Sequence, residues 1–296
     1  MTATGVARVL LLPERRRLAG QALPPSIAAQ IGKADHLPDG HPGEQAQLRR
    51  YFDISPAGWP MAAIQRQHDA GDAGEYVWLR ADPAHVRADM AGARLMAWGN
   101  LAIDDESARR FLTALQPVFE EARLEMSATA PDRWFLRLPA GTNLPAFALP
   151  EQALGADMFE HLPQGELGRR WRTMLSESQV ILHNHAVNAE RNARGQVPVN
   201  SLWFWGEGAL PDSIVTSATS IDSADPEIQA LFARSTPAAA GSDLRDLRHV
   251  RDWAQVEQQL SPVAELMFDF ADGARWRLRP AQRWRFWRRP LFRIDA

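Results

Sequence analysis

The chain has 296 residues, with 33 basic and 36 acidic side chains, an apolar fraction of 45% and no cysteine. This composition is typical of a globular protein of one large or two small domains, and it excludes the disordered and collagen-like classes. The absence of cysteine also excludes a disulfide framework, a thiolate zinc site, an iron–sulfur cluster and a cysteine nucleophile. We expect one compact α/β domain over residues 1–296.

The basic residues are almost all arginine. Lys33 is the only lysine among the 33 basic side chains, so Schiff-base chemistry is excluded everywhere else. Lys33 follows Ile31 and Gly32 without a glycine loop before it or a Ser/Thr after it, which excludes a phosphate-binding P-loop.

Charge is unevenly distributed along the chain. The net charge is −3, but residues 275–296 hold eight Arg and one Asp, so this tail carries +7 and residues 1–274 carry −10. The apolar stretch at 9–12 is far too short to span a bilayer. We therefore predict a cytoplasmic protein that makes no membrane contact.

Hydrophobic patterning and turn signals predict the elements of the chain in order. In the first half they are a buried strand at 6–12, a loop-rich region at 20–74 with a short helix at 43–51, a strand at 76–79 followed by a turn at 82–83, and a helix at 105–126. In the second half they are a strand at 134–138, a helix from 166 to before 195, a strand at 199–205 closed by 206–208, helices at 226–234 and 250–260, and a hairpin of 265–270 with 274–278. This alternation predicts an α/β fold, a mixed sheet with flanking helices.

The densest group of polar residues lies between 183 and 208. If the predicted helix continues past His185, then His185, Asn188 and Arg191 fall three residues apart on one stripe. Arg offers a planar fork for phosphate or carboxylate, Asn both donates and accepts, and His exchanges a proton near neutral pH. A strand that ends in Gly-x-Gly adds backbone N–H groups to such a surface. The predicted ligand-binding residues are His185, Asn188, Arg191, Asn200, Gly206 and Gly208.

Three interpretations of this group remain open. His183 and His185 have the spacing of a metal pair, but no carboxylate or third His follows at ligand spacing, so we assign no metal ligand. The polar residues can instead form a buried, hydrogen-bonded junction between helix and strand. The third interpretation is an anion site.

The same segment carries a family resemblance. Residues 183–211 read His-x-His-x-Val-Asn-x-x-Arg-x-x-x-Gly-x-x-Pro-x-Asn-Ser-Leu-Trp-Phe-Trp-Gly-x-Gly-x-x-Pro. They resemble the segment of archaeal-type cofactor-independent phosphoglycerate mutases that contains His-Pro-Val-Asn, Arg, Gly, Pro-x-Asn and Trp-Leu-Trp-Gly-x-Gly. The whole chain further resembles a bacterial family of uncharacterised proteins related to those mutases. The matching positions are His185, Val187, Asn188, Arg191, Gly195, Pro198, Asn200, Trp203, Trp205, Gly206 and Gly208.

The resemblance implies a reduced alkaline-phosphatase/phosphomutase-like core. Members of that superfamily use two divalent metals, held by Asp and His, to activate a Ser nucleophile. Here the only His after residue 185 is His249, and the first strand leads into Pro13 and Glu14 where the superfamily has an Asp. We therefore predict a mutase-related protein with no cofactor or metal and no mutase activity. It would bind a small phosphorylated or carboxylate ligand, or a protein partner; an active metal-dependent phosphoglycerate mutase or phosphatase is the alternative.

The basic tail supports a second alternative, a nucleic-acid-associated accessory protein. Arginine and aromatic residues alternate through 283–289, a combination that neutralises phosphates and stacks on bases. Arg285, Arg288 and Arg289 would make the nucleic-acid contacts.

A different arrangement of the tail needs no partner. Trp284, Trp287 and Leu291 have helical spacing, so a terminal helix could bury them while its arginines face the acidic remainder of the chain. We predict this docked helix.

Overall fold

The computed structural model describes residues 7–88, 92–260 and 263–294. The strands are β1 Ala7–Leu12, β2 Asp35–Leu37, β3 Phe52–Ser55, β4 Val77–Ala88, β5 Ala93–Trp98, β6 Glu125–Ala130, β7 Arg133–Leu138, β8 Ser201–Ala209, β9 Ser213–Asp222, β10 Thr236–Asp246, β11 Leu266–Phe270 and β12 Arg275–Leu278. The helices are α1 Pro25–Lys33, α2 Glu44–Leu48, α3 Met61–Ala70, α4 Asp105–Glu121, α5 Pro150–Ala153, α6 Gly165–His183, α7 Ala186–Ala193, α8 Pro226–Arg234 and α9 Trp253–Glu257. Short 3-10 turns lie at Arg15–Arg17, Met158–His161 and Pro280–Trp284.

Internal contacts divide the chain into two compact units. The outer unit comprises residues 1–55 and 213–296, and the inserted unit comprises residues 56–212. Each unit has its own sheet and its own apolar core. That residues 1–296 form one compact domain stays a prediction.

The outer unit is built on a seven-stranded mixed sheet. Its strand order is β2-β12-β11-β1-β10-β9-β3. The four central strands β11, β1, β10 and β9 run parallel, whereas β12, β2 and β3 add antiparallel edges. One face is covered by α1 and α9, whose Ile27 and Val256 are fully buried in a cluster with Leu10 and Phe268 from the sheet. The carboxyl ends of these four parallel strands therefore lie at the same edge of the sheet.

The inserted unit is built on an antiparallel sheet centred on β4. One edge of β4 pairs with β8, and its other edge pairs first with β7 and then with β5, while β6 extends the sheet beyond β7. Twelve residues of β4 thus hold three partner strands in place.

Alternate residues of this sheet serve two aromatic cores. On the face covered by α3, Trp78 and Phe135 pack edge to face with ring centroids 6.2 Å apart. On the other face, Phe204 packs against Phe119 of α4 at 6.4 Å and against Trp171 of α6 at 5.3 Å. The helices α4 and α6 thereby fix the position of the segment that joins α6 to β8.

Charge is also buried in the inserted unit. Arg80 and Asp82 of β4 are 4% and 1% exposed and form an ion pair at 2.7 Å. The Asp82 carboxylate also accepts from Trp205 Nε1 at 2.7 Å, and the Arg80 guanidinium donates to Gln65 of α3. Burial raises the pKa of Asp82, although the Arg80 charge opposes that shift. Because both charges are paired and hydrogen-bonded, the sheet and α3 can enclose them.

The structure confirms the predicted α/β class with a mixed sheet and flanking helices. The helix at 226–234 has the predicted bounds, and the hairpin of 265–270 with 274–278 is β11 with β12. The residues that the structure describes contain no helix that is both long and apolar enough to cross a bilayer.

Four sequence predictions were wrong in detail. The strand at 76–79 is the start of the longer β4, which passes through the predicted turn at 82–83 because Pro83 pairs within the sheet beside β8. The helix at 105–126 ends at Glu121, where Arg123 adopts a left-handed φ of 57°. The region at 20–74, which was predicted to be rich in loops, contains the helices α1 and α3. The fourth error is the helix predicted to run unbroken from 166 to 194, which the structure divides into α6 and α7.

The predicted terminal helix is absent as well. Beyond Trp284 the described chain is irregular to residue 294, and Trp284 and Trp287 are 79% and 65% exposed. Pro290 interrupts the span, and the backbone of this segment forms short turns and a bond to α1 in place of a helix: Phe286 N donates to Trp284 O at 2.8 Å, Arg288 N to Arg285 O at 3.1 Å, and Leu291 N to Ala28 O at 2.9 Å. The tail is therefore docked through its backbone and not through its aromatic side chains.

Candidate functional site

The connection between α6 and α7 places the first predicted site residue. α6 ends at His183, and His185 is the N-cap of α7, where its Nδ1 accepts from Val187 N at 3.2 Å. The break at Asn184 and His185 removes the single helical stripe that the sequence predicted. His185 therefore projects from a helix start, apart from Asn188 and Arg191 on α7.

Asn188 joins α7 to the chain before β8. Its side-chain Nδ2 donates to Leu182 O at 2.7 Å and to Val199 O at 2.8 Å, and its Oδ1 accepts from Val199 N at 2.9 Å. The side chain is 4% exposed. Both polar atoms of Asn188 are thus committed to backbone groups.

Arg191 binds three backbone carbonyls in the same region. Its Nε donates to Val197 O at 2.9 Å, and its terminal nitrogens donate to Ala102 O at 3.2 Å and Leu101 O at 2.5 Å. Arg191 is only 2% exposed. Burial lowers the pKa of its guanidinium, and the negative charge of Asp104 opposes that shift. The fork of Arg191 therefore faces carbonyl oxygens of the protein.

Asn200 and the two glycines also make internal contacts. Asn200 exchanges two hydrogen bonds of 2.8 Å with the backbone N–H and C=O of Val86 in β4. Gly206 has a φ of +70°, and a Cβ there would lie 3.3 Å from Ala62 N. A Cβ on Gly208 would lie 2.6 Å from Pro60 Cβ. Both glycines allow β8 to approach the start of α3 closely.

The structure therefore brings together Asn188, Arg191 and Asn200 as a hydrogen-bonded junction of helix, loop and strand. This arrangement corresponds to the junction interpretation of the sequence, and anion binding by these three side chains stays a prediction. Gly206 and Gly208 lie farther along β8 against α3. His185 is separated from the others by its position at the surface.

His185 lines a surface cavity of about 560 Å³ together with residues of α4. The polar residues around it are Glu106, Arg109, Arg110, Thr113 and His185. Arg110 is paired with Glu190 through contacts of 3.0 and 2.7 Å, and both side chains are partly exposed. Burial lowers the pKa of His185, and the Arg110 charge lowers it further. Sequence analysis missed Arg109 and Arg110 because they lie some 75 residues before His185 in the chain; the acid-rich start of the predicted helix at 105 was the nearest signal.

A second polar centre lies at the edge of the outer unit where its parallel strands end. Arg248, which follows β10, is 7% exposed and contacts Asp246 at 2.9 Å, Asp225 at 2.5 Å and Glu44 at 3.1 Å. Burial disfavours the Arg248 charge, but these three carboxylates outweigh burial and raise the pKa of its guanidinium. Ligands of open α/β sheets bind at such an edge. Here the edge is occupied by an internal arginine.

The residues present do not fit the two-metal centre that the family resemblance implies. Within 7–88, 92–260 and 263–294 there is no group of three or more His, Asp or Glu residues arranged to hold a metal ion. The carboxylates of Asp225, Asp246 and Glu44 face the Arg248 guanidinium, and Glu14, after the first strand, pairs with Arg16.

Comparison with known proteins gives a relationship over part of the chain. No family model matches it. The chain is 40% identical over 62 residues to the probable 2,3-bisphosphoglycerate-independent phosphoglycerate mutase of Geobacter sulfurreducens, which is 21% of this chain and 16% of that protein. It is 36% identical over 75 residues to the 2,3-bisphosphoglycerate-independent phosphoglycerate mutase of Methanosarcina mazei, which is 24% of this chain and 19% of that protein. The matches thus span less than a fifth of either relative.

One solved structure aligns over a longer range. The cofactor-independent phosphoglycerate mutase from Thermoplasma acidophilum aligns with 93% of this chain and 90% of its own, at 14% identity and a TM-score of 0.40. On the sequence matches, the chain is related to phosphoglycerate mutases over about a fifth of its length.

Replacing Arg191 tests whether the junction is structural. Arg191→Ala leaves the carbonyls of Leu101, Ala102 and Val197 without their donor, so we expect the free energy of unfolding to fall by about 1–3 kcal/mol in urea titrations. Arg194→Ala removes an exposed arginine at the end of α7 and should change the free energy of unfolding by less than about 0.5 kcal/mol. An Arg191→Ala protein as stable as wild type, with a lost response to phosphate, would instead establish the anion interpretation.

Replacing Arg248 tests the carboxylate cluster. Arg248→Met leaves Asp225, Asp246 and Glu44 facing one another without a cation. We expect the free energy of unfolding to fall by about 3–5 kcal/mol near neutral pH. Repulsion among these carboxylates disfavours their charged forms in the folded variant, so the loss of unfolding free energy should be smaller at about pH 5 and grow as the pH rises and more of them ionise. Arg251→Met is the exposed control in urea titrations at both pH values. A loss independent of pH would contradict the charge argument.

Proposed function

We propose that this chain is a phosphoglycerate-mutase-related protein that lacks mutase activity and binds a small phosphorylated or carboxylate ligand. The proposed place of binding is the cavity lined by Arg109, Arg110 and His185. The observation that carries the proposal is the convergence of two guanidinium groups and an imidazole on one cavity of about 560 Å³. The partial sequence relationship to phosphoglycerate mutases supports a ligand of this chemical class.

Arg109 is the residue best placed to bind an anion. It is exposed, and its Nε donates to Asp105 O at 3.2 Å within its own helix. Its terminal nitrogens have no hydrogen-bond partner among the residues that the structure describes. A guanidinium that presents two N–H groups side by side matches two oxygens of a phosphate or carboxylate.

Arg110 can exchange its present partner for a ligand. Its bond to Glu190 joins side chains that are 37% and 43% exposed, and such solvent-exposed ion pairs contribute about 1 kcal/mol or less. A doubly charged phosphate competes with that carboxylate at little cost.

The cap interaction of His185 determines which nitrogen faces a ligand. Nδ1 accepts from Val187 N, so in the neutral ring the proton is on Nε2. A neutral His185 can therefore donate from Nε2 to a ligand oxygen. Since its pKa is lowered, this is the form expected at neutral pH.

Thermal unfolding in inorganic phosphate and in 3-phosphoglycerate tests this site. We expect both anions to raise the melting temperature of the wild-type protein, because a ligand that binds only the folded state stabilises it. Arg109→Ala should remove most of that rise and leave the ligand-free melting temperature unchanged, since the side chain is exposed. Arg169→Ala removes the same charge from an exposed position of α6, and this variant should keep the full rise in melting temperature. An Arg109→Ala protein that still responds fully would place the anion elsewhere.

The proposed lack of mutase activity has its own test. Interconversion of 2- and 3-phosphoglycerate should be undetectable with the purified protein, with or without added Mn²⁺, and elemental analysis should find no stoichiometric divalent metal. The reason is that Asp225, Asp246 and Glu44, at the strand ends of the outer unit, face Arg248 and not an open site. Turnover that disappears with a chelator and returns with metal would establish the active-enzyme alternative.

A further inference from the structure

The tail of the outer unit exposes an unusual set of aromatic side chains. Trp284, Phe286, Trp287 and Phe292 are 79%, 87%, 65% and 53% exposed. Phe286 and Trp287 pack edge to face with ring centroids 5.2 Å apart. Large aromatic groups concentrated at a protein surface indicate an interaction site.

The backbone beneath these rings is anchored to α1. Leu291 N donates to Ala28 O at 2.9 Å, and Leu23 N donates to Phe292 O at 3.0 Å. Gly32 permits the contact, because a Cβ there would lie 2.3 Å from Arg289 O. A fixed segment therefore holds the rings, so binding does not have to offset the entropy lost on ordering that segment.

The charge of the segment is positive throughout. Residues 275–294 contain eight Arg and no acidic residue. Arg285 is held by Asp35 at 2.7 Å, which fixes the start of the segment. Arg288, Arg289 and Arg293 are exposed. Their side chains form no ion pair or hydrogen bond with any residue that the structure describes. Three free cations thus lie among four exposed rings.

We infer that this tail surface binds single-stranded nucleic acid, with its arginines on phosphates and its aromatic rings stacked on bases. Stacking requires unpaired bases, because the faces of paired bases are covered within a duplex. The alternation of ring and guanidinium along the segment matches the alternation of base and phosphate along a strand. Arg288, Arg289 and Arg293 are the phosphate contacts, so Arg293 takes the place that the sequence analysis gave to Arg285.

An anionic lipid surface fits the segment less well. Interfacial membrane segments are amphipathic helices, whose backbone groups are satisfied internally while one apolar face enters the lipid. Beyond the turn Pro280–Trp284 this segment is irregular, and Arg285, Arg288 and Arg289 stand between its rings. Inserting the rings would therefore draw charges and backbone groups toward the hydrocarbon region.

Fluorescence anisotropy with a labelled oligodeoxythymidylate of about 15 nucleotides tests the inference. We expect binding whose affinity falls with salt, with a slope of about −2 in log K against log salt for three phosphate contacts. Changing Arg288, Arg289 and Arg293 to Gln should bring that slope close to zero. Trp287→Ala should weaken binding roughly tenfold or more through lost stacking, with no change in melting temperature because the ring is exposed.

Two controls separate this surface from general charge attraction. Changing Arg169, Arg194 and Arg251 to Gln removes the same charge from exposed positions outside the tail and should leave binding unchanged. Gly32→Ala keeps every tail residue but pushes the segment off α1, and it should weaken binding. Equal binding of duplex and single strand, equal losses in both triple variants, or binding to vesicles with anionic lipid but not to the oligonucleotide would each overturn the inference.

Discussion

The inserted unit depends on one buried cation that binds only backbone. The guanidinium of Arg191 donates to three carbonyls, of Leu101, Ala102 and Val197, and is almost inaccessible to solvent. These oxygens belong to two loops that have no secondary structure to satisfy them, one before α4 and one before β8. A buried carbonyl without a donor is costly, so a planar group with donors in fixed directions is what allows both loops to be closed over the core. Asn188 and Asn200 extend this arrangement to α6 and β4.

The outer unit uses arginine in a different way. Arg248 holds Asp225, Asp246 and Glu44 around one guanidinium at the ends of the parallel strands. A lysine ammonium is a compact point charge without the fixed fork of donors that a guanidinium has, so it would not reproduce the contacts of Arg248 with three carboxylates or of Arg191 with three carbonyls. The near absence of lysine, with Lys33 alone among 33 basic residues, thus agrees with a chain whose buried cations act through their shape as well as their charge.

The sequence predicts those elements whose signals are local. The helix at 226–234 begins at Asp225 and Pro226, a cap and a first-turn proline, and the hairpin turns at Asp272 and Gly273. Elements that depend on partners distant in the chain could not be predicted. Pro83 lies in a strand because β8 lies beside it. The break at His185 reflects capping by its side chain, and the position of the irregular tail reflects hydrogen bonds to α1. The cavity of Arg109, Arg110 and His185 required the packing of α4 beside α7, for which the sequence has no local signal.

The short family motif has a structural explanation that does not require chemistry. Of the residues in 183–211 that carry the family resemblance, Asn188, Arg191 and Asn200 bind backbone groups, and Gly206 and Gly208 allow β8 to approach α3. A chain that keeps this helix, loop and strand connection needs those residue types whether or not it catalyses a reaction, because each fills a contact that another side chain would leave unmade. In this chain the motif therefore has a structural role at the junction, whatever its role in the mutases. Evidence for ligand binding has to come from residues such as Arg109 and Arg110, whose charges the junction does not use.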